Sequence, residues 1–170
     1  MVKIGLFYGS TTGNTQKVAE IIAEAFGRVE VDLHDVRKAS ADDLEKYDVL
    51  ILGTSTWQWG GLQDEWANFE DALDEVDLDD KKIALFGVGD QKRYPDHFVD
   101  GIGLLYDGII SGGAEVIGKW PVEGYQFNES AAQIEDEFVG LALDEDNESD
   151  KTPERVKKWV SQLKEELGLD

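Results

Sequence analysis

Short apolar runs able to be buried on both faces alternate along this chain with segments whose apolar residues recur at three- and four-residue steps, and this alternation limits the fold most. A strand wetted on one side alternates apolar and polar residues, whereas a continuous apolar run marks a strand of a parallel sheet covered by helices on both faces. Val2 to Tyr8 reads as such a strand. Val18, Ala19, Ile22 and Phe26 then mark a helix. Val29 to Leu33 reads as a second strand, Ser40 to Asp43 as a capping-box-like start to a short helix, and Val49 to Leu52 as a third strand ended by Gly53. Trp66, Phe69, Leu73 and Val76 keep helical spacing. Ile83 to Phe86 gives a fourth strand closed by Gly87-Val-Gly89, and Phe98, Ile102, Leu105 and Ile109 a helix stopped by Gly112-Gly113. Val116-Ile117 opens a fifth strand, and the last helix has Thr152 as N-cap, Pro153 at its first position and Val156, Trp159, Val160, Leu163 and Leu167 on one face. The pattern predicts an α/β chain of 170 residues with a three-layer, doubly wound, five-stranded parallel sheet of order 2-1-3-4-5. Residues 119–138 break the alternation and read as an insertion in or beside strand five, resumed by Leu141-Ala-Leu143. An excursion of that length is either functional or weakly ordered.

Composition narrows the chemistry. The chain has no cysteine, which removes disulfides, thiolate chemistry and iron-sulfur ligation, so a redox role would need a bound organic cofactor. Its 37 acidic and 16 basic residues give a formal net charge of -21, which repels nucleic acid and favours partners with basic patches. The first apolar run is too short for a signal sequence or a membrane span, so a cytoplasmic protein is expected. Neither of the two histidines, His34 and His97, lies in a triad-like or metal-ligand pattern, and both read as helix-flanking or surface residues. The acids from Asp144 to Asp150 do not form a calcium loop, because position six is Ser149 and position twelve is Arg155.

In a sheet of this order, ligands bind beyond the carboxyl ends of the strands, where the order reverses between strands one and three. The first loop there, Ser10-Thr-Thr-Gly-Asn-Thr15, runs into a helix; its hydroxyls, its glycine and the helix N-terminus suit a phosphate. No Gly-Lys-Ser/Thr ending and no G-x-G-x-x-G fingerprint is present, so a monophosphate is the natural ligand. The second loop, from Thr54 through Trp57 and Trp59 to Gly61, sets two tryptophans among glycines, suited to stacking on something flat. The third, Gly87 to Tyr94, offers backbone donors and another aromatic platform.

With these motifs the chain resembles the long-chain flavodoxins over its whole length. The similarity rests on the loop from Gly9 to Thr15, the Thr56-Trp57 pair, the Gly89-Asp-Gln stretch with Tyr94, and the GLALDEDN run from Gly140. The resemblance implies a single domain, residues 1–170, that binds flavin mononucleotide (FMN) non-covalently. Ser10, Thr11, Thr12, Gly13, Asn14 and Thr15 would hold the phosphate. Trp57 and Tyr94 would flank the isoalloxazine ring, with Asp90 and neighbouring backbone at its pyrimidine edge. Thr54, Ser55, Thr56, Gln58, Trp59, Gly60, Gly89 and Asp144 complete the expected contacts, and the Gln58-Trp59 peptide occupies the place of the flip that favours the neutral semiquinone. Arg93 departs from the pattern, where most relatives have glycine; at positive φ it would be strained or the loop reshaped, and with Lys92 it puts positive charge near the ring.

The implied activity is low-potential one-electron transfer through quinone, semiquinone and hydroquinone, which needs no acid, base or nucleophile. A carboxylate about 10 Å from the anionic reduced ring lowers the potential by about 20 to 70 mV; Asp64, Glu65, Asp90, Asp144, Glu145 and Asp146 are the candidates. The expected partners of this monomer are a flavodoxin/ferredoxin-NADP reductase and a downstream acceptor, steered by the acidic rim. The alternatives are an FMN-dependent NAD(P)H:quinone reductase and a cofactor-free signalling module. A nicotinamide pocket for the first and a phosphoacceptor acid cluster for the second are not identifiable in the sequence.

Overall fold

A computed structural model describes residues 3–9, 13–55 and 71–169 of the chain. Its central sheet has the predicted order. Strand β1 (Ile4–Tyr8) lies between β2 (Val31–Asp35) and β3 (Val49–Ser55), and β4 (Lys82–Val88) follows β3, all parallel. The fifth position is shared. Strand β5 (Glu115–Ile117) pairs with Lys82–Ala84, and after the insertion β9 (Leu141–Leu143) pairs with Phe86–Val88 of the same strand, both parallel. The excursion therefore splits strand five, as the sequence suggests.

Continuous apolar strands are explained by two cores. Leu50, Leu52, Ile83 and Leu85 point to one face, where they pack with Leu44 of α2 (Ala41–Glu45), Leu73, and Ile102, Leu105 and Ile109 of α3 (Asp100–Ser111). Their neighbours Val49, Ile51, Ala84 and Phe86 point to the other, against Val18 and Ile22 of α1 (Asn14–Ala25) and Val156, Trp159 and Leu163 of the last helix, Thr152–Leu167. Both faces of each inner strand are thus covered, as a doubly wound sheet requires. Trp159 is fully buried and its indole N–H donates to the Gly118 carbonyl at 2.8 Å, which ties that helix to the exit of β5.

Several boundaries differ from the sequence reading. β2 begins at Val31 and not at Val29; it is the half-buried edge strand, so hydrophobicity marks its limits poorly. Gly53 and Gly87 do not end strands β3 and β4 but lie inside them. An added Cβ would come within 1.9 Å of the Phe86 ring at Gly53 and 2.5 Å of Ile102 at Gly87, so these glycines permit close packing on the sheet. Thr152 does not cap the last helix: a 3-10 turn at Ser149–Lys151 runs directly into it, leaving Thr152 buried in its first turn. His34 lies within β2, its ring stacked on Phe7 at 4.5 Å and its Nε2 2.8 Å from the Tyr47 hydroxyl, which donates to Asp32 at 2.8 Å. His97 flanks a helix as expected, with Nδ1 3.0 Å from Asp100 Oδ2 just ahead of α3.

The insertion is ordered. Strands β6 (Trp120–Pro121), β7 (Gln133–Ile134) and β8 (Glu137–Phe138) form a small antiparallel sheet of order β6-β8-β7. Phe138 packs against Phe98, Tyr125 and Phe127 with ring centroids 5.2 to 5.8 Å apart, giving the insertion its own apolar anchor in the main core. Among the described residues, no helix is long and apolar enough to cross a membrane.

Candidate functional site

Parallel register brings the carboxyl ends of three strands together. Tyr8 is level with Gly53, Thr54 with Gly87 and Ser55 with Val88, and the Gly9 N–H donates to the Gly53 carbonyl at 3.2 Å. The carboxyl ends of β1, β3 and β4 therefore lie side by side at the switch point, where a doubly wound sheet forms its crevice.

In the first of the segments that follow these strands, α1 starts behind Gly13, which has φ +90 and closes the first turn through its carbonyl to the Lys17 N–H at 3.0 Å. The positive φ of Gly13 is the left-handed conformation that glycine adopts without a Cβ penalty. The first turn of α1 carries no acidic residue. In a chain with a formal net charge of -21 that is a favourable place for an anion, since no carboxylate of the first turn offsets the N-terminal partial charge of the helix. Asn14 and Thr15 begin the helix and Thr15 is buried. Ser10, Thr11 and Thr12 lie outside the described residues, as do Thr56, Trp57, Gln58, Trp59 and Gly60 of the second segment, together with the predicted helical positions Trp66 and Phe69. Thr54 and Ser55 are the last residues of β3; Thr54 is fully buried and its hydroxyl donates to the Ser55 carbonyl at 3.1 Å.

The third segment is held by hydrogen bonds along its length. Gly89 N–H donates to the Leu143 carbonyl at 2.9 Å. Asp90 Oδ1 accepts from the backbone N–H groups of Lys92 (3.1 Å) and Arg93 (2.9 Å) and from Asn147 Nδ2 (2.7 Å), while the Asp90 carbonyl accepts from Tyr94 N–H at 2.9 Å. Tyr94 is half-buried, with the Arg93 guanidinium carbon 5.6 Å from its ring centroid. Arg93 is accommodated without backbone strain: among the described residues the only non-glycines at positive φ are Val99 and Glu135. The loop has closed as a turn around the Asp90 carboxylate, which places no demand for glycine at position 93.

Asp144 lies beneath this segment. It is fully buried, caps the turn α4 (Glu145–Glu148), and accepts from Asn147 N–H (2.9 Å), Asn147 Nδ2 (2.9 Å) and Gln91 N–H (3.1 Å). The structure therefore gives Asp144 an anchoring place in the loop. Burial, followed by the nearby charges of Asp90 and Asp144, pushes the Asp146 carboxyl above its ordinary range, with Arg93 opposing. At Glu148 burial pushes the carboxyl up, but hydrogen bonds from Lys151 and Gln91 and the Arg155 charge outweigh it and hold it below the usual carboxylate range. The sequence motifs contain Gln91 and Asn147 but give them no place in the site, and neither Tyr125 nor Arg155 reads as part of it. The Tyr125 hydroxyl accepts from Trp120 Nε1 at 2.9 Å and donates to the Ala142 carbonyl at 2.5 Å, with Arg155 4.2 Å from its ring centroid. The only available signal was Asn147 three residues after Asp144, the spacing of a capped turn.

A three-layer doubly wound domain with a helix N-terminus and a hydrogen-bonded third loop at its switch point belongs to the class of α/β mononucleotide-binding proteins. The Flavodoxin family model matches residues 6–159, and the chain belongs to the flavodoxin family. It is 53% identical to the flavodoxin of Synechococcus elongatus over 170 residues, covering 99% of this chain and 100% of that protein. It is 46% identical to flavodoxin 1 of Escherichia coli over 171 residues, covering 100% and 97%. A crystal structure of Fusobacterium nucleatum flavodoxin bound to flavin mononucleotide superposes with a TM-score of 0.93 at 32% identity, covering 98% of this chain and 99% of that one.

Proposed function

We propose that this chain, acting as one domain, binds FMN non-covalently at the switch point and carries single electrons between redox proteins. The observation that supports the reading is the meeting of the β1, β3 and β4 carboxyl ends beside the N-terminus of α1, whose first turn carries no acidic residue. When bound, FMN supplies a ring that accepts and gives up electrons one at a time.

The chain's own residues bind, orient and bias. Residues 10–15 hold the phosphate against the helix dipole. Trp57 and Tyr94 stack on the two faces of the ring and limit access to its edge. Asp90 and the backbone of its turn meet the pyrimidine edge, with Thr54, Ser55, Thr56, Gln58, Trp59 and Gly60 along the second segment. Asp144 contributes by fixing the third segment. The surrounding carboxylates oppose the build-up of negative charge and so favour a low potential. The acidic surface steers a basic reductase and a basic acceptor toward the exposed edge of a monomeric, cytoplasmic carrier.

The test is reductive titration of the FMN-reconstituted protein followed by visible absorption. A long-wavelength one-electron band is expected to accumulate before full bleaching; direct two-electron bleaching, or rapid NADPH oxidation by the protein alone with a quinone, would overturn the carrier reading. Trp57→Ala is expected to weaken FMN binding by about tenfold or more, the scale of a lost stacking partner.

A further inference from the structure

Gln91 belongs to the third segment yet is only 4% exposed, and its backbone N–H and both ends of its side-chain amide are bonded to other elements. Its Oε1 accepts from the Gln126 N–H of the insertion at 2.7 Å. Its Nε2 donates to Glu148 Oε1 at 2.7 Å, and its N–H donates to Asp144 Oδ2 at 3.1 Å. We infer that Gln91 is a positioning residue for the cofactor, joining the insertion to the acidic turn so that the Asp90–Tyr94 loop is already set for the ring.

The inference rests on the reading that Asp90 and Tyr94 meet FMN. A loop ordered in advance does not lose conformational entropy when the ligand arrives, so such a lock appears in the dissociation constant. Gln91 is suited to the task because it is bonded on both sides at once. The insertion continues the same hold further along, where Asn128 and Glu129 N–H groups both donate to the Pro95 carbonyl, at 2.7 and 3.0 Å. Ala131 N–H donates to Asp100 Oδ1 at 2.6 Å, and the Ser130 hydroxyl donates to the Phe98 carbonyl. These bonds bracket Val99, a β-branched residue at φ +48, a conformation that persists only when its surroundings impose it.

The polarity of the Gln91 bonds allows a discriminating variant. Gln91→Glu keeps the acceptor for Gln126 but replaces the donor with a second anion against Glu148. Protonation of that carboxyl restores both, since its C=O accepts and its O–H donates. The charged and titratable groups around this position are Glu148, Asp144, Lys151 and Arg155 on the acidic turn and last helix, Tyr125 on the insertion, and Asp90, Lys92 and Arg93 in the loop itself. Lys151 Nζ and Arg155 Nη1 already stand 2.6 and 3.1 Å from Glu148, so the wild-type carboxylate stays paired when Gln91 is replaced.

The experiment measures FMN dissociation constants by flavin fluorescence quenching at pH 8 and pH 5 for wild type, Gln91→Met and Gln91→Glu, with the melting temperature of each apoprotein. Gln91→Met is expected to bind about tenfold more weakly at both pH values, the equivalent of one to two net hydrogen bonds. Gln91→Glu is expected to bind more weakly than Gln91→Met at pH 8 and to recover to within about threefold of wild type at pH 5. Gln126→Pro, which removes the bonded N–H from the exposed side, is expected to match Gln91→Met and serves if the Gln91 variants do not fold. Affinities within twofold of wild type, a lowered melting temperature with unchanged affinity, or no recovery of Gln91→Glu on acidification would overturn the inference. Failure of the wild type itself to take up FMN would instead overturn the cofactor reading beneath it.

Discussion

Asp144→Ala separates two roles for a carboxylate beside a cofactor loop. In the structure Asp144 is fully buried and accepts from Gln91 N–H and from both the backbone N–H and the side-chain Nδ2 of Asn147. Alanine leaves the Gln91 N–H without its acceptor in a buried position, which costs about 1 to 3 kcal/mol, and removes a helix cap worth about 1 kcal/mol. Relief of the desolvated carboxylate offsets part of this. The net expectation is a loss of about 2 kcal/mol in the apoprotein, which at a urea m-value of about 2 kcal/mol/M moves the unfolding midpoint down by about 1 M. Asp144→Asn keeps one acceptor oxygen and is expected to lose about half as much. The assay is urea unfolding without FMN, followed by far-UV circular dichroism. An apoprotein midpoint within about 0.2 M of wild type, with weakening seen only when FMN is present, would show that the carboxylate acts on the ligand directly and refute the anchoring argument.

Trp159→Phe removes the indole N–H bonded to Gly118 and part of a fully buried side chain, and is expected to cost about 2 to 3 kcal/mol, read as a fall of about 8 °C in apoprotein melting temperature. Tyr47→Phe removes the hydroxyl that joins His34 to Asp32 and is expected to cost about 1 to 2 kcal/mol near neutral pH. Burial and the Asp32 hydrogen bond raise the Tyr47 phenol. Its stabilising effect is therefore complete below the unfolded pKa of about 10 and is lost as pH rises above it, so the gap between wild type and variant is expected to shrink as the pH of urea titrations is raised from about 10 to 11. Arg93→Gln removes a positive charge beside Tyr94; taken at about 10 Å from the reduced ring, the loss lowers the second reduction potential by about 20 to 70 mV, and an unchanged potential in a spectroelectrochemical titration would place the guanidinium elsewhere.

Strand order and the placement of α1, α3 and the last helix were legible because each inner strand is apolar on both faces and each of these helices on one, a pattern that only a sheet covered on two sides satisfies. The edge strand β2, half-exposed, carried a weaker version of the signal and was displaced by two residues. Gly53 and Gly87 read as strand ends because glycine marks turns in a linear sequence. Their actual use, room for Phe86 and Ile102, depends on residues far along the chain.

The sequence by itself determined the class of fold and the order of its strands, and with them the edge at which a ligand is expected. These follow from local periodicity and from residue types within a few positions of one another. Only the tertiary structure decided that Asp144 lies under the third loop as its anchor, that Arg93 sits in that loop without strain, and that Gln91 reaches 35 residues along the chain to Gln126 and 57 to Glu148. A buried polar group takes whichever partner the folded chain brings within about 3 Å, and the spacing along the sequence holds no record of that meeting.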